Sequence, residues 1–599
     1  LLSLSDISSI CAAFILYFVS ASSLLAVNKK IRARRGALSK VVNFNDIKIL
    51  FIASLFVSVF LAYTPWLGLS VIVCVLFFLY GVLVWLDAIL FVQYRIEINR
   101  QSFAWFFTGS KGLAKGIPHL LLLVKQIPYI LLLPLAWASV QVCVLYIFAL
   151  PKGIFSAPAM LWLVGVTLGI IVVISALAIY RIITNASAQF YTAPSLLANI
   201  IMSDKFSCNK SIEIDPRHQP FVKPEVRDNT RGDLYGACKG ANIILITMES
   251  LGYYLDNGNG AGVRSKLKQR FQENSWEGKK HYCLCPNTTV ATNQIYSGNY
   301  SNNPYNKQDS LYPGSEPLHL QTLKKNGYTT MFLDSADIAL YDYHKLLNRI
   351  GFDFIWGTHQ LPSDGLKADY RLWNMVEPVA NAAKSGPFFL HIINDQSHIP
   401  YETIDKKTFN RHKSRDAKSQ YMNAVEEADF IIDEFLNRLA EKIDLSNTIL
   451  VFTGDHGESF GEYGYSFHSN SVILPQMHVP LFMRHPKLSK KVIEHSCHFD
   501  LFPTFFDLLG IGADHPHLGA SLLNDDRAFA YFFHSATLKG NTPANFGFLN
   551  DEELLWVDRL FNQVKRVQKG QSKTVVQKEE QEYISSLLHR MLIERSLAL

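Results

Sequence analysis

Four short segments carry side chains able to hold a metal ion or move a proton. They are Met248-Glu249-Ser250, Ser397-His398-Ile399-Pro400, Thr453-Gly454-Asp455-His456-Gly457-Glu458 and Tyr465-Ser466-Phe467-His468. Glu249, Asp455 and His456 together supply two carboxylates and an imidazole, a hard-to-borderline donor set suited to one divalent ion, Zn²⁺ or Mn²⁺. Three protein ligands leave a position open for a reacting group. Taken singly, each residue has an ordinary explanation. A Glu after a strand commonly neighbours a helix cap, Asp-His-Gly makes a plain turn, and His398 and His468 read as surface or core histidines. Their recurrence at the ends of successive strand-like runs is what sets them apart, because a sheet gathers its strand ends without any closeness in sequence.

Those runs are Asn242 to Met248, Tyr328 to Leu333, Phe388 to Ile393, Thr448 to Thr453 and Val479 to Met483, rich in Ile, Leu, Val and Phe. They alternate with helical patterns, as an α/β domain with a central, largely parallel sheet requires. Between the third and fourth, Ala424, Ala428, Ile431, Phe435 and Leu439 recur at helical spacing, which places Glu426, Glu427 and Asp433 off the buried stripe. The tail after 550, rich in Lys, Glu and Gln, reads as surface helices. No internal repeat or low-complexity tract is present.

The 599 residues are 49% hydrophobic, 13% aromatic and 18% charged, which excludes a disordered chain. Residues 1–185 hold 14 Lys+Arg against 4 Asp+Glu, a balance of +10, whereas 186–599 is slightly acidic. The basic excess flanks hydrophobic stretches, so it reads as membrane flanking and predicts no nucleic-acid partner. A helix crossing the hydrocarbon needs about 20 apolar residues. Stretches near 7–27, 49–65, 69–92, 128–150 and 160–184 approach or meet that length, predicting a multi-pass domain of five spans. The first is too long for the apolar core of a cleaved signal peptide. Arg95, Arg100, Lys111 and Lys115 mixed with Phe103, Trp105, Phe106 and Phe107 suit a segment lying among lipid head groups. The organisation expected is a transmembrane domain (1–185), a linker with interfacial helices (186–238) and a catalytic domain (239–599).

Thr453 to Gly461, T-G-D-H-G-E-S-F-G, resembles the Asp-His-Gly signature of the alkaline phosphatase/sulfatase superfamily. His498 to Gly510, H-F-D-L-F-P-T-F-F-D-L-L-G, is similar to the later segment of its sulfatase-type domains. Five spans followed by such a domain is the layout of lipoteichoic acid synthases, phosphoglycerol transferases and phosphoethanolamine transferases. The resemblance covers about 240–515. Sulfatases mature a Cys or Ser within C/S-x-P-x-R, and neither Cys283 nor Cys285 has that context. The phosphotransferases use an unmodified Thr. Spacing back from Ser297-Gly298, which resembles the family's pattern, selects Thr288 as nucleophile and metal ligand, and alignment from the cysteine side selects Thr289.

The resemblance therefore implies transfer of a phospholipid head group, phosphoglycerol or phosphoethanolamine, to a glycan or lipid acceptor of the cell envelope. The route is a phosphothreonine, with His398 and His468 binding phosphoryl oxygens or moving protons and Glu458 and Glu462 outside the reacting set. A hydrolase that releases its product to water and a non-catalytic lipid-binding protein of the same fold are the competing readings. The family works on the outer face of the bacterial cytoplasmic membrane, which implies an extracytoplasmic catalytic domain and a monomer. Positive-inside counting argues the reverse, but long domains translocate largely regardless of charge. Of eight cysteines, Cys208, Cys238, Cys283, Cys285 and Cys497 fall in the soluble part, and Cys208–Cys238 is the preferred pair in an oxidising compartment.

Overall fold

The computed structural model describes residues 10–22, 41–63, 67–94, 137–144, 189–191, 213, 215, 218, 232–256, 260–300, 317–339, 343–414, 416–512, 517–524, 529–536, 543, 545–558, 563–568, 574–576 and 578–594. They fall into two compact units, Leu1–Lys205 with Tyr463–Tyr465, and Phe206–Glu462 with Ser466–Leu599.

In the first unit, helices Ile10–Ser22, Phe44–Tyr63 and Leu67–Tyr94 coincide with the first three expected spans. Among the described residues one stretch, Ser70–Asp87, is long and apolar enough to cross a membrane. Trp137 donates its indole N–H to the Phe77 carbonyl and Tyr17 its hydroxyl to Gln141, so the helices are tied by buried polar contacts. Ile52, Phe56, Ile72 and Leu76 remain exposed, as apolar side chains facing lipid would. The expected span at 160–184, most of that at 128–150, the 95–127 segment and most of the linker lie outside the described residues.

The second unit is built on a nine-stranded sheet: β1 (Asn242–Met248), β2 (Ser275–Tyr282), β3 (Thr329–Asp334), β4 (Phe354–Trp356), β5 (Phe388–Ile393), β6 (Thr448–Gly454), β7 (His478–Arg484), β8 (Lys491–Ile493) and β9 (Ser496–Cys497). Their order is β8-β2-β7-β6-β1-β5-β3-β4, with β9 also pairing β2. All pairs are parallel except those of β7, which runs antiparallel to β2 and β6. The central strands are buried on both faces, which is why they read as unbroken apolar runs. Side chains alternate between the faces: Ile243, Leu245, Phe389 and Val451 join one core with Ile295, Phe502 and Phe505. Ile244, Ile246, Leu390, Ile392 and Phe452 join the other, together with Ala424, Ala428, Ile431, Phe435 and Leu439.

Those last five lie on one helix, Ala417–Ala440, as their spacing predicts. That helix is α2, and one other matters below, α1 (Thr288–Ser297), which precedes it in the chain. Asn287 caps α1 by accepting from the Val290 N–H, and Asp416 caps α2 by accepting from Ser419.

The tail departs from expectation. Ala530–His534, Asn545–Asn550, Glu553–Asp558, Gln563–Gln568 and Thr574–Val575 form a five-stranded antiparallel sheet, and among the described residues of the tail only Lys578–Glu594 is helical. That helix is not a free surface element, since Leu587, Leu588 and Leu592 are buried. Gln563–Gln568 shows no period-two alternation, and its pairing with Glu553–Asp558, where buried Lys565 bonds Asp558 Oδ2 (2.7 Å), makes it a strand.

Candidate active site

Parallel pairing of β1 with β6 sets Met248 opposite Gly454, so Glu249 and Asp455 leave the sheet side by side at its C-terminal edge. Glu249 is buried there. Its N–H donates to Asn394 Oδ1 (3.0 Å), beyond the end of β5, and its carbonyl accepts from Ser397 Oγ (2.6 Å). Thr288 is the first residue of α1, so its hydroxyl projects from the helix N-terminus. It donates to Glu249 Oε2 (3.0 Å) and lies 3.2 Å from His456 Nε2. Thr289, one position on, is buried. Of the two candidate threonines, Thr288 is the one set against both Glu249 and His456.

Asp455 Oδ1 accepts from the backbone N–H groups of Ser250 (2.8 Å) and His456 (2.7 Å). Its Oδ2 is buried with no hydrogen-bond partner and lies 3.3 Å from His456 Nε2. His456 donates from Nδ1 to the Gly457 carbonyl (3.0 Å), which leaves Nε2 as the acceptor facing Glu249 Oε1 at 3.6 Å. Several lone pairs thus converge, and the side-chain protons offered to Glu249 come from the Thr288 and Ser250 hydroxyls, the latter donating to Oε1 (2.9 Å). The titration shifts express this shortage of positive charge. Burial pushes Asp455 up to about 7, burial and then the Asp455 charge raise Glu249, and burial drives His456 down to about 4. An orphaned buried carboxylate oxygen among oxygen and imidazole donors fits one divalent cation held by Glu249, Asp455, His456 and the Thr288 oxygen.

His468 and His398 border the same space. His468 Nδ1 meets Glu458 Oε2 at 3.1 Å, its ring lies 4.3 Å from that of His456, and burial holds it down at about 4. Ligand atoms of Glu249, His456 and His468 all lie within 4.8 Å of one another, so His468 Nε2 is also in reach of an ion. The Asp455 Oδ2 oxygen has the stronger claim, because it is buried without a hydrogen-bond partner 3.3 Å from His456 Nε2. His398 donates from Nδ1 to the Ile399 carbonyl (3.0 Å), and its ring is 5.4 Å from His468. Burial acts to lower its pKa, but the Glu249 and Asp395 carboxylates outweigh burial and raise it.

Sequence reasoning left Glu458 either behind the reacting residues or at the surface, and it is the former, fully buried and paired with His468. The signal was its place two residues after His456, in a loop too short to let it reach open water. Glu462, half-exposed, accepts from the Phe460 N–H and stays on the rim. Glu427, off the apolar stripe of α2, is completely buried as well. Around the site Ser250, Tyr401, Phe467 and Ser469 take φ between 59 and 69°, a left-handed conformation that non-glycine residues adopt only when held. Ser250 is held by Asp455, and Ser469 by its bond to the Pro286 carbonyl (3.0 Å). Cys283 and Cys285 are buried free thiols whose pKa burial raises well above the usual range, so both are protonated and inert. Cys238 is also a free thiol, 3.3 Å from His485 Nδ1, and its expected disulfide partner Cys208 lies outside the described residues.

Residues 241–511 match the protein-family model described as Sulfatase. This segment is a sulfatase-family domain. The lipoteichoic acid synthase of Staphylococcus aureus (strain USA300) is 27% identical over 262 residues, which cover 40% of this chain and 38% of that one. The chain thus spans well under half the length of this curated relative. Among solved structures, the lipoteichoic acid synthase LtaP from Listeria monocytogenes has a TM-score of 0.47 at 18% identity, covering 61% of this chain and 96% of its own. A protein of the alkaline phosphatase superfamily from Vibrio parahaemolyticus has a TM-score of 0.46 at 18% identity, covering 64% and 99%. The sulfatase-family domain therefore comprises the whole β1-to-β9 sheet and every residue of the site above. The sulfatase superfamily holds both hydrolases and transferases, and its enzymes use a divalent metal.

Proposed function

We propose that this protein is a membrane phosphotransferase that moves a phospholipid head group, phosphoglycerol or phosphoethanolamine, onto a hydroxyl of an envelope glycan or lipid. The observation that carries the reading is the Thr288 hydroxyl. It stands at a helix N-terminus, which favours phosphoryl oxygens, and donates to a buried carboxylate beside an orphaned one. A divalent ion held by Glu249, Asp455, His456 and Thr288 would lower the pKa of the threonine hydroxyl and neutralise phosphoryl oxygens.

Thr288 Oγ1 attacks the lipid phosphorus, its proton leaving along the hydrogen bond to Glu249. The P–O bond to diacylglycerol breaks, and an imidazole, His398 or His468, protonates the departing oxygen. His398 is the better acid of the two, since the Glu249 and Asp395 carboxylates favour its charged form, while burial disfavours that of His468. In the second half-reaction an acceptor hydroxyl gives its proton to that imidazole as its oxygen bonds to phosphorus, the bond from phosphorus to Thr288 Oγ1 breaks, and the proton held by Glu249 returns to the threonine oxygen. Glu458 fixes the proton of His468 on Nδ1, which turns Nε2 toward the reacting groups. The membrane-spanning first unit, with five spans, would hold the domain at the outer face of the bacterial cytoplasmic membrane, as a monomer beside its lipid donor.

Incubation of the protein with phospholipid and no acceptor tests this reading. The head-group mass should accumulate on the peptide containing Pro286 to Tyr296, with fragmentation assigning it to Thr288. Wild-type transfer by Thr288→Ala, or an adduct on Thr289 alone, would overturn the assignment. Turnover without any adduct would remove the covalent mechanism.

A further inference from the structure

We infer that Gln476 is a positioning residue for His468: its buried amide fixes the loop that carries that imidazole, and its main chain ties the same loop to the metal-holding segment. The inference rests on the transfer reading for the task of His468, whereas the contacts themselves hold whatever the reaction.

His468 needs such a fastening. It lies between Phe467 (φ 68°) and Ser469 (φ 69°), two non-glycine residues in the left-handed region. The ladder joining its loop to the segment after Glu458 is two residue pairs long, Ser459 opposite Phe467 and Phe460 opposite Ser466, and so short a pairing has little stability of its own. Gln476 stands outside that pairing, on the one-turn helix Leu474–Met477 that leads into β7, and is completely buried. Its Nε2 donates to Ser459 Oγ (2.9 Å) and Asn470 Oδ1 (2.8 Å), and its Oε1 accepts from the Ser471 N–H (3.2 Å). The Ser459 hydroxyl in turn donates to the Phe467 carbonyl (2.7 Å). The amide therefore grips the chain on both sides of His468, one residue before it through Ser459 and two and three residues after it directly. Ser459 also adjoins Glu458, whose carboxylate meets His468 Nδ1.

The donors and acceptors in this set leave no freedom at position 476. Ser459 gives its proton to Phe467, and Asn470 donates from Nδ2 to the Ser466 carbonyl (3.0 Å), which turns Oδ1 toward Gln476. Both can then only accept, so the position requires two N–H donors and one acceptor, which a glutamine amide has and a methionine or glutamate lacks. The main chain supplies the link to the metal ligands, because the Gln476 carbonyl accepts from the N–H of Gly457 (2.8 Å), the residue after His456. The two segments approach so closely that a Cβ on Gly457 would stand 2.1 Å from the Pro475 carbonyl oxygen. One residue thus sets the His468 ring against that of His456, 4.3 Å away. Changing its side chain releases His468 and leaves the main-chain bond to Gly457 in place.

That separation supplies the test. Gln476→Met, similar in volume but without the amide, is compared with wild type as the full-length protein in nanodiscs. Hydrogen exchange of the Ser471 amide should quicken at least tenfold while β1 and β6 hold their rates, and metal analysis should find the ion still bound. Release of radiolabelled diacylglycerol from phosphatidylglycerol or phosphatidylethanolamine should lose about 100-fold in kcat, the effect of a group displaced by about 1 Å. KM should stay within threefold. Ser459→Ala, which cuts one arm of the grip, should lose about tenfold. Because Gln476 acts through His468, adding Gln476→Met to His468→Ala should lower the rate less than threefold further. Unchanged exchange at Ser471, an ion lost from Gln476→Met, or a double variant slower by the full 100-fold would each overturn the assignment. If the wild type releases no diacylglycerol from either lipid, the transfer reading falls. Exchange then decides on the grip alone: faster exchange at Ser471 with β1 and β6 unchanged sustains it, and equal rates overturn it.

Discussion

Replacing Glu427 with Gln should loosen the loop that carries His398. The carboxylate is fully buried on α2 and accepts four hydrogen bonds. Oε1 takes the Asp405 N–H (2.6 Å) and the Tyr370 hydroxyl (3.0 Å), and Oε2 takes the Ile404 N–H (2.7 Å) and Gln396 Nε2 (2.8 Å). An amide of the same shape turns one of those oxygens into an NH₂ group, which faces two donors. Two charge-assisted bonds are lost with their donors left buried, at about 1–3 kcal/mol each, and the other two weaken to neutral strength. Partial relaxation leaves a net loss of about 3 kcal/mol, which is roughly a 150-fold rise in local opening. Hydrogen–deuterium exchange on the full-length protein reads this directly. Amides of Ile404 and Asp405 should exchange about 100-fold faster, while those of β1 and β6 hold their rates, and turnover should fall because His398 loses its fixed position. Exchange within threefold of wild type across 396–406 would show that the loop is fastened elsewhere, for example by Asp369, which accepts from the Asp395 and Gln396 N–H groups.

Asp455→Ala should strip the bound ion and abolish turnover while the membrane helices stay folded; a stoichiometric ion by metal analysis of the purified variant would remove Asp455 from the ligand set. Stability should fall in acid because of His391, buried between Thr247 Oγ1 (2.7 Å) and Tyr296 OH (2.8 Å) and held by burial at about 3. The unfolded chain takes up that proton near pH 6.5 and the folded one does not. The contribution is therefore complete above pH 6.5 and lost as pH falls from there toward 3, at about 1.4 kcal/mol per pH unit. Denaturation midpoints from pH 7.5 to 5 should show this slope, and His391→Gln should lower it by one proton; an unaltered slope would assign it to other groups. A reporter fused after Leu599 should report an extracytoplasmic C-terminus, and activity confined to the cytoplasm would restore the positive-inside orientation.

Much of the sheet was legible because of where its strands lie. Asn242–Met248 and Phe388–Ile393 are covered on both faces, so nearly every position had to be apolar and the run announced itself. β2, Ser275–Tyr282, escaped notice because it places Lys279 and Lys280 toward solvent, and its pairing with β7 compensates for a weak local pattern. The antiparallel sheet of the tail was missed for the same reason. Side-chain periodicity on α2 identified its apolar stripe and set Glu427 off it, but not the burial of Glu427, because a helical wheel shows which positions face a core and not which distant loop will bring donors to a carboxylate.

The polar residues divide along the same line. By itself the sequence determined the α/β class, the strand ends on which Glu249, His398 and Asp455-His456 stand, and the apolar helices of the first unit, since each follows from local composition and periodicity. Only the tertiary structure decided that Thr288 rather than Thr289 faces Glu249 and His456, that Asp455 keeps an unpartnered oxygen, and that Glu458 is buried against His468. Those facts depend on the register of β1 against β6 and on the entry angle of α1. Pairing across more than 200 residues fixes that register, and no local pattern of side chains records it.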